Sequence, residues 1–163
     1  MLSAHTAQAY EIGTVNLYFK ANLVNRTCNI VSAKDITFDF GDIPTTAFTE
    51  VGVGQAVPNV TAQTETISLE CQNMTDQQAV RARLITSQSK DNMFVSSNEN
   101  VGFQIADKDR QVIKPNDPNS HIPINIVNSK ASFIIQSWPV SVTGVLPDPG
   151  QVNASGHIQI EYD

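Results

Sequence analysis

Gly150-Gln-Val-Asn-Ala-Ser-Gly-His-Ile-Gln-Ile-Glu-Tyr-Asp163 alternates apolar and polar residues without a fault. Val152, Ala154, Gly156, Ile158, Ile160 and Tyr162 fall on one face, and Gln151, Asn153, Ser155, His157, Gln159 and Glu161 on the other. Successive side chains of a strand point to opposite faces, so this period of two predicts a half-buried β-strand over 151–163. Slipping its register by one residue would turn every apolar group to solvent, and the register is therefore strongly specified.

The same period governs the chain upstream. Ile36, Phe38 and Phe40 alternate with Thr37 and Asp39 until Gly41-Asp42-Ile43-Pro44 stops the strand, because proline cannot donate to a central ladder. Thr64 to Cys71 places Ile67, Leu69 and Cys71 on one face, and Ala79 to Thr86 sets Val80, Ala82 and Leu84 opposite Arg81 and Arg83. Val101, Phe103 and Ile105 form the next strand, with Asp107 to Arg110 as the turn after it. Pro115 to Ser120 is a loop by composition; alternation resumes at Ile122, Ile124 and Ile126, with Pro123 marking an edge. Ala131 to Val142, which holds Phe133, Ile135 and the lone Trp138, is the most apolar stretch, and Pro147-Asp-Pro-Gly150 turns the chain into its last strand. Helical spacing is nearly absent, so about eight short strands predict an all-β sandwich or Greek-key barrel.

A length of 163 residues suits one domain. The net charge of -6, with 10 Lys and Arg scattered singly, leaves no basic stripe for nucleic acid or an anionic membrane surface. No apolar run approaches the roughly 18 residues that a membrane-spanning helix needs, so no membrane insertion is expected. Catalysis is not expected either. His5, His121 and His157 are scattered, no Ser or Cys stands in a nucleophile motif, and Asp107 and Asp109 read as turn residues. No His, Cys or carboxylate group has metal-ligand spacing, and no cofactor is expected.

Residues 1–9 end in Ala7-Gln8-Ala9, which fits the small-x-small rule for signal-peptidase cleavage. They read either as the tail of a signal peptide or as an ordinary N-terminus. The two cysteines, Cys28 and Cys71, have no C-x-x-C spacing and suit one structural disulfide in an oxidising compartment; two unrelated buried thiols are the alternative. Ahead of them, Tyr10 to Phe19 is strand-like and offers a face graded in size through Gly13, Val15, Leu17 and Phe19. Such a strand either pairs within its own sheet or adds to the sheet of another chain.

Phe19-Lys-Ala-Asn-Leu-Val-Asn-Arg-Thr-Cys28, Ile36-Thr-Phe-Asp-Phe-Gly-Asp-Ile43, Ile67-Ser-Leu-Glu-Cys71, Val101-Gly-Phe-Gln-Ile-Ala-Asp107 and the C-terminal strand together resemble the subunits of chaperone–usher pili, the type 1 and P pilus pilins among them. Gly150, fourteenth from the end, and Tyr162, second from the end, stand where that family places a glycine and a tyrosine. Ala21 departs from the glycine that many relatives carry two positions after the first aromatic.

The resemblance implies an incomplete immunoglobulin-like sandwich that lacks its last strand, with residues 20–163 as the pilin domain and 10–19 as an N-terminal donor-strand extension. Gly13, Val15, Leu17 and Phe19 would be the donated face. Gly150, Val152, Ala154, Gly156, Ile158, Ile160, Tyr162 and Asp163 would be the groove and chaperone-binding strand, with Asp163 supplying the carboxylate that a chaperone holds. It further implies a periplasmic pilus chaperone, an outer-membrane usher and neighbouring pilus subunits as partners, and export through the periplasm to a surface fimbrium with a role in cell adhesion. A shaft, adaptor or minor subunit is expected. The alternative is an adhesin-type binding module for a host glycan or protein, in which Trp138 would either line a pocket or sit in the core.

Overall fold

The computed structural model describes residues 12–24, 26–74 and 79–162. Its longest strands, β2 (Gln63–Gln72) and β8 (Lys130–Ser141), pair antiparallel with Ile67 opposite Phe133 and Leu69 opposite Ala131. Around them stand β1 (Thr27–Ile30), β4 (Ser89–Lys90), β5 (Met93–Val95) and β6 (Val101–Ala106), in the order β1-β2-β8-β6-β5-β4. A second sheet has the order β7-β3-β9, built from β3 (Val80–Ile85), β7 (Ile122–Ile124) and β9 (His157–Tyr162). Pro123 lies in β7, which pairs with β3 and ends the order of its sheet among the described residues, as an edge strand permits.

The inward phases of both sheets meet in one core. Ile67, Leu69 and Cys71 of β2 pack with Val80, Ala82 and Leu84 of β3 and with Phe133 and Ile135 of β8. Alternation in β8 holds only in its first half. From Ser137 to Ser141 every residue is buried, because a segment bridged at Ala56 to Val140 covers the second face. Trp138 is 6% exposed there, and its indole N–H donates to Gln104 Oε1 at 3.0 Å while the Arg110 guanidinium lies 4.7 Å from the ring centroid. It is a core residue, with its polar atom satisfied as burial requires.

Cys28 and Cys71 are directly opposite one another across the β1–β2 pair and are joined by a disulfide. Two elements escaped the sequence pattern: the short β4–β5 ribbon, and a 3-10 helix, Thr45–Thr49, that begins after Pro44 and buries Ala47 and Phe48. In three expected strands the alternation is present but the ladder is missing. Residues 36–40 and 151–156 are extended without sheet pairing, and residues 12–24 are exposed and belong to neither sheet.

Candidate functional site: an open cleft between two unpaired segments

These missing ladders frame one feature. Strand β9 pairs with β3 from Val80 opposite Tyr162 to Ile85 opposite His157, and ends the order of its sheet with its other edge unpaired among the described residues. Across a gap from the start of β9 and from residues 147–156 ahead of it lies the segment 36–43. Neither segment is paired into a ladder along the gap among the described residues, so a strand placed between them would find edges open to pairing.

The gap is a cleft lined by apolar and polar groups together, in two adjoining sections. One section, of about 330 Å³, runs between Ile36–Phe40 and Val152–Ile158 over a floor that includes Leu84, Phe94 and Ile105. The other section, of about 820 Å³, adjoins it between residues 37–43 and 147–153. Phe38, Phe40 and Phe103 form a run of stacked rings, with Phe40 and Phe103 centroids 5.6 Å apart and planes 16° apart. Ile36, Phe38 and Phe40 are each half-buried while Thr37 and Asp39 face solvent, so this wall keeps the alternation of a strand without its pairing.

Local hydrogen bonds hold the walls. The Ser97 N–H donates to the Asn153 carbonyl at 2.9 Å, and the Thr86 hydroxyl to the Ser155 carbonyl at 2.7 Å. On the opposite wall the Gln63 side-chain amide donates to the Asp39 carbonyl. Gly150, with φ of 143°, occupies backbone space that L residues rarely adopt as the chain enters the cleft. Gly156 lies so close to β3 that a Cβ there would sit 2.7 Å from the Ile85 carbonyl oxygen and 2.7 Å from the Phe94 ring.

The residues singled out from the sequence fall as follows. Ile158 and Ile160 are half-buried against the main core, and Val152 against the cluster of Phe48 and Val101. Ala154 and Gly156 share their phase but are exposed and line the cleft. Tyr162 is 41% exposed, and its hydroxyl donates to the Arg26 carbonyl, tying the end of β9 to the start of β1. Val15, Leu17 and Phe19 are 87%, 74% and 92% exposed, and nothing lies within 4 Å of the Cβ position of Gly13. Asp163, Tyr10, Glu11 and residues 1–9 lie outside the described residues.

Sequence reasoning missed the second wall as part of a site, although the Ile36, Phe38, Phe40 alternation was the available signal. It also missed Phe94, whose strand of three residues is too short to show a period. Electrostatics concentrate on the outer face of the β3–β9 pair, where Glu161 accepts from Arg83 at 3.0 Å and from Arg81 at 3.1 Å. The Arg83 hydrogen bond, with a smaller contribution from Arg81, outweighs partial desolvation and holds the Glu161 carboxyl below its ordinary value of 4.5.

Known proteins resemble this chain in sequence and in fold. The chain is 33% identical over 141 residues to the type 1 fimbrin D-mannose specific adhesin of Salmonella typhimurium, an alignment covering 86% of this chain and 42% of that protein. It is 26% identical over 148 residues to the probable minor fimbrial subunit LpfD of Escherichia coli O157:H7, covering 86% of this chain and 42% of that one. The chain thus spans about two-fifths of the length of these curated relatives. Its fold matches the crystal structure of the P pilus rod subunit PapA with a TM-score of 0.67 at 11% identity, over 83% of this chain and 99% of that one. With the family model for fimbrial protein matching residues 17–163, this chain belongs to the fimbrial protein family.

Proposed function

We propose that the chain is a structural subunit of a surface fimbria whose sandwich is completed by a β-strand from another polypeptide, and that its own residues 10–19 complete a neighbour in the same way. The observation that carries this reading is the cleft: an apolar floor exposed between two extended segments, each with an unpaired edge. Alone, the chain also exposes Ile12, Val15, Leu17, Tyr18 and Phe19, a set of apolar side chains that water disfavours. Cleft and extension supply complementary halves of one interaction, apolar face to apolar floor and free edge to free edge.

During export a periplasmic chaperone fills the cleft first, and at the outer-membrane usher the extension of the next subunit replaces it. The fibre then reaches the cell surface, where it serves adhesion. No catalytic step is assigned to the chain. In this reading residues 20–163 are the pilin domain, residues 1–9 a signal-peptide remnant, and Asp163 the chaperone-held carboxylate.

A second reading, that the chain anchors an adhesin to its fibre, is favoured by the 33% identity to the D-mannose specific adhesin. Both readings use the cleft as acceptor and differ in whether residues 10–19 are donated. The test compares thermal unfolding of the chain alone and with excess synthetic peptide spanning Tyr10 to Phe19. A large rise in melting temperature is expected. An unchanged melting temperature for a stable, monomeric chain would mean that the cleft does not accept this strand.

A further inference from the structure

Strand β3 carries β9 on one edge, from Val80 opposite Tyr162 to Ile85 opposite His157, while on its other edge β7 reaches only Ala82. Beyond β7 a single residue, Asn116, takes over that edge. Its N–H donates to the Leu84 carbonyl at 2.8 Å, and its side-chain oxygen accepts the Thr86 N–H at 3.0 Å. Its side-chain amide donates to the Thr86 carbonyl at 2.9 Å and to the Ser89 hydroxyl at 3.1 Å. The φ of Asn116 is 63°, in the left-handed region where asparagine is enriched.

These bonds set which way each backbone group at the end of β3 points. In an extended chain the N–H and C=O of one residue face the same edge, and those of the next face the other. Leu84 and Thr86 face Asn116, so Arg83 and Ile85 face β9, and His157, Gln159 and Glu161 turn their backbone groups to β3. The same phase continues upstream, past the end of the ladder. The Thr86 hydroxyl donates to the Ser155 carbonyl at 2.7 Å, the Ser97 N–H to the Asn153 carbonyl at 2.9 Å, and the Asn153 N–H to the Ser97 hydroxyl at 3.1 Å. Asn153 and Ser155 thus turn their carbonyls to the body of the fold. Ala154 and Gly156 turn theirs to the free edge, in step with Ile158 and Ile160.

Resting on the strand-acceptor reading above, we infer that Thr86, held by Asn116, is the positioning residue that keeps residues 153–156 in ladder phase with β9. An incoming strand then meets one continuous row of backbone groups, at Ala154, Gly156, Ile158 and Ile160. The Thr86 hydroxyl does for the unpaired wall what a neighbouring strand does for β9. Its Cβ lies 3.3 Å from the Cβ position of Gly156, so the side chain also packs on the wall that it holds. Neither Thr86 nor Asn116 lines the cleft, and both act through Ser155 rather than by touching the strand that enters. A wall already in phase spares that strand the cost of ordering it.

The test measures binding of the synthetic peptide spanning Tyr10 to Phe19 to the full chain, well below the melting temperature of every variant. Thr86→Val keeps the branched shape and removes the hydroxyl; Asn116→Gly removes the side chain and still permits the positive φ. Each should weaken binding about tenfold, while Thr86→Ser, which keeps the hydroxyl, should bind as the unsubstituted chain does. Backbone hydrogen exchange reads the phase: on binding, the amides of Ala154 and Gly156 should gain protection and that of Asn153 should not. Gains at Asn153 and Ser155 instead would overturn the inference. So would a Thr86→Val chain that melts lower when free yet binds the peptide with full affinity, since its role would then be structural only; in both cases the strand-acceptor reading stands. An unsubstituted chain that binds no peptide would overturn the reading and the inference together.

Discussion

Glu161 accepts hydrogen bonds from Arg83 Nη1 at 3.0 Å and from Arg81 Nε at 3.1 Å, so one carboxylate spans two alternate residues of the neighbouring strand. The three side chains are partly exposed, between 18% and 29%. They lie across the pair that holds β9, the cleft's own wall, to the body of the fold.

Stability should therefore depend on Glu161 in acid. Its pKa is lowered in the folded chain, so the unfolded chain binds the proton more readily. The contribution is fully present above the ordinary value of 4.5 and is lost as pH falls through the lower, folded value. Glu161→Gln should lower the melting temperature modestly at pH 7 and converge with the unsubstituted chain in acid, and added salt should narrow the gap at pH 7. Curves that stay parallel at all pH values would show that the clamp does not stabilise β9.

Loss of the Cys28–Cys71 disulfide should be costly. The bond closes a loop with a sequence separation of 43, and β1 is held to β2 by only four residue pairs. Chain-entropy arguments put the loss at roughly 4 kcal/mol. Urea unfolding before and after reduction checks this, and a midpoint that does not move would mean that β1 contributes little to the fold.

How much of this could be read in advance depended on where each strand finds its partner. The alternation of Ile36, Phe38 and Phe40, and of Val152, Ala154 and Gly156, marked both stretches as strands, because period reports which face is apolar. Pairing is a separate property: it depends on a neighbour at ladder distance, and among the described residues no strand lies between the two stretches. The C-terminal pattern therefore marked a stretch that borders the cleft without revealing that only its second half, His157–Tyr162, is hydrogen-bonded into a sheet. Phe94 and Phe103 reach the cleft through the fold of β5 and β6, a long-range placement that no local pattern encodes. The cation–π contact of Arg110 on Trp138 is of the same kind.

Gly156 should tolerate no side chain. One of the two atoms nearest its Cβ position is a backbone oxygen, Ile85 O at 2.7 Å, and a backbone atom cannot rotate away as a flexible side chain can. Gly156→Val should push the wall off β3 and destabilise the fold by about 1–3 kcal/mol, the usual range for overpacking. Urea unfolding measures this directly. An unchanged midpoint would show that the wall yields freely, and the cleft would then be softer than its geometry indicates.

The extension offers a substitution whose two effects should separate cleanly. Leu17 is 74% exposed and makes no sheet contact in its own chain, so Leu17→Asp should leave the melting temperature of the isolated chain unchanged. Placed in the cleft of another copy, the same position loses an apolar burial and forces a carboxylate against the floor around Phe94 and Ile105. These losses add to a fall in affinity of roughly 100-fold or more. Excess ligand stabilises a fold only in proportion to the logarithm of its saturation, so a peptide spanning Tyr10 to Phe19 with the Leu17→Asp change should give little of the shift produced by the unsubstituted peptide. Thermal unfolding of one acceptor preparation with each peptide in turn makes the comparison. Equal shifts from both would mean that Leu17 does not face the floor, and the donated face would then be the opposite phase of Asn16 and Tyr18.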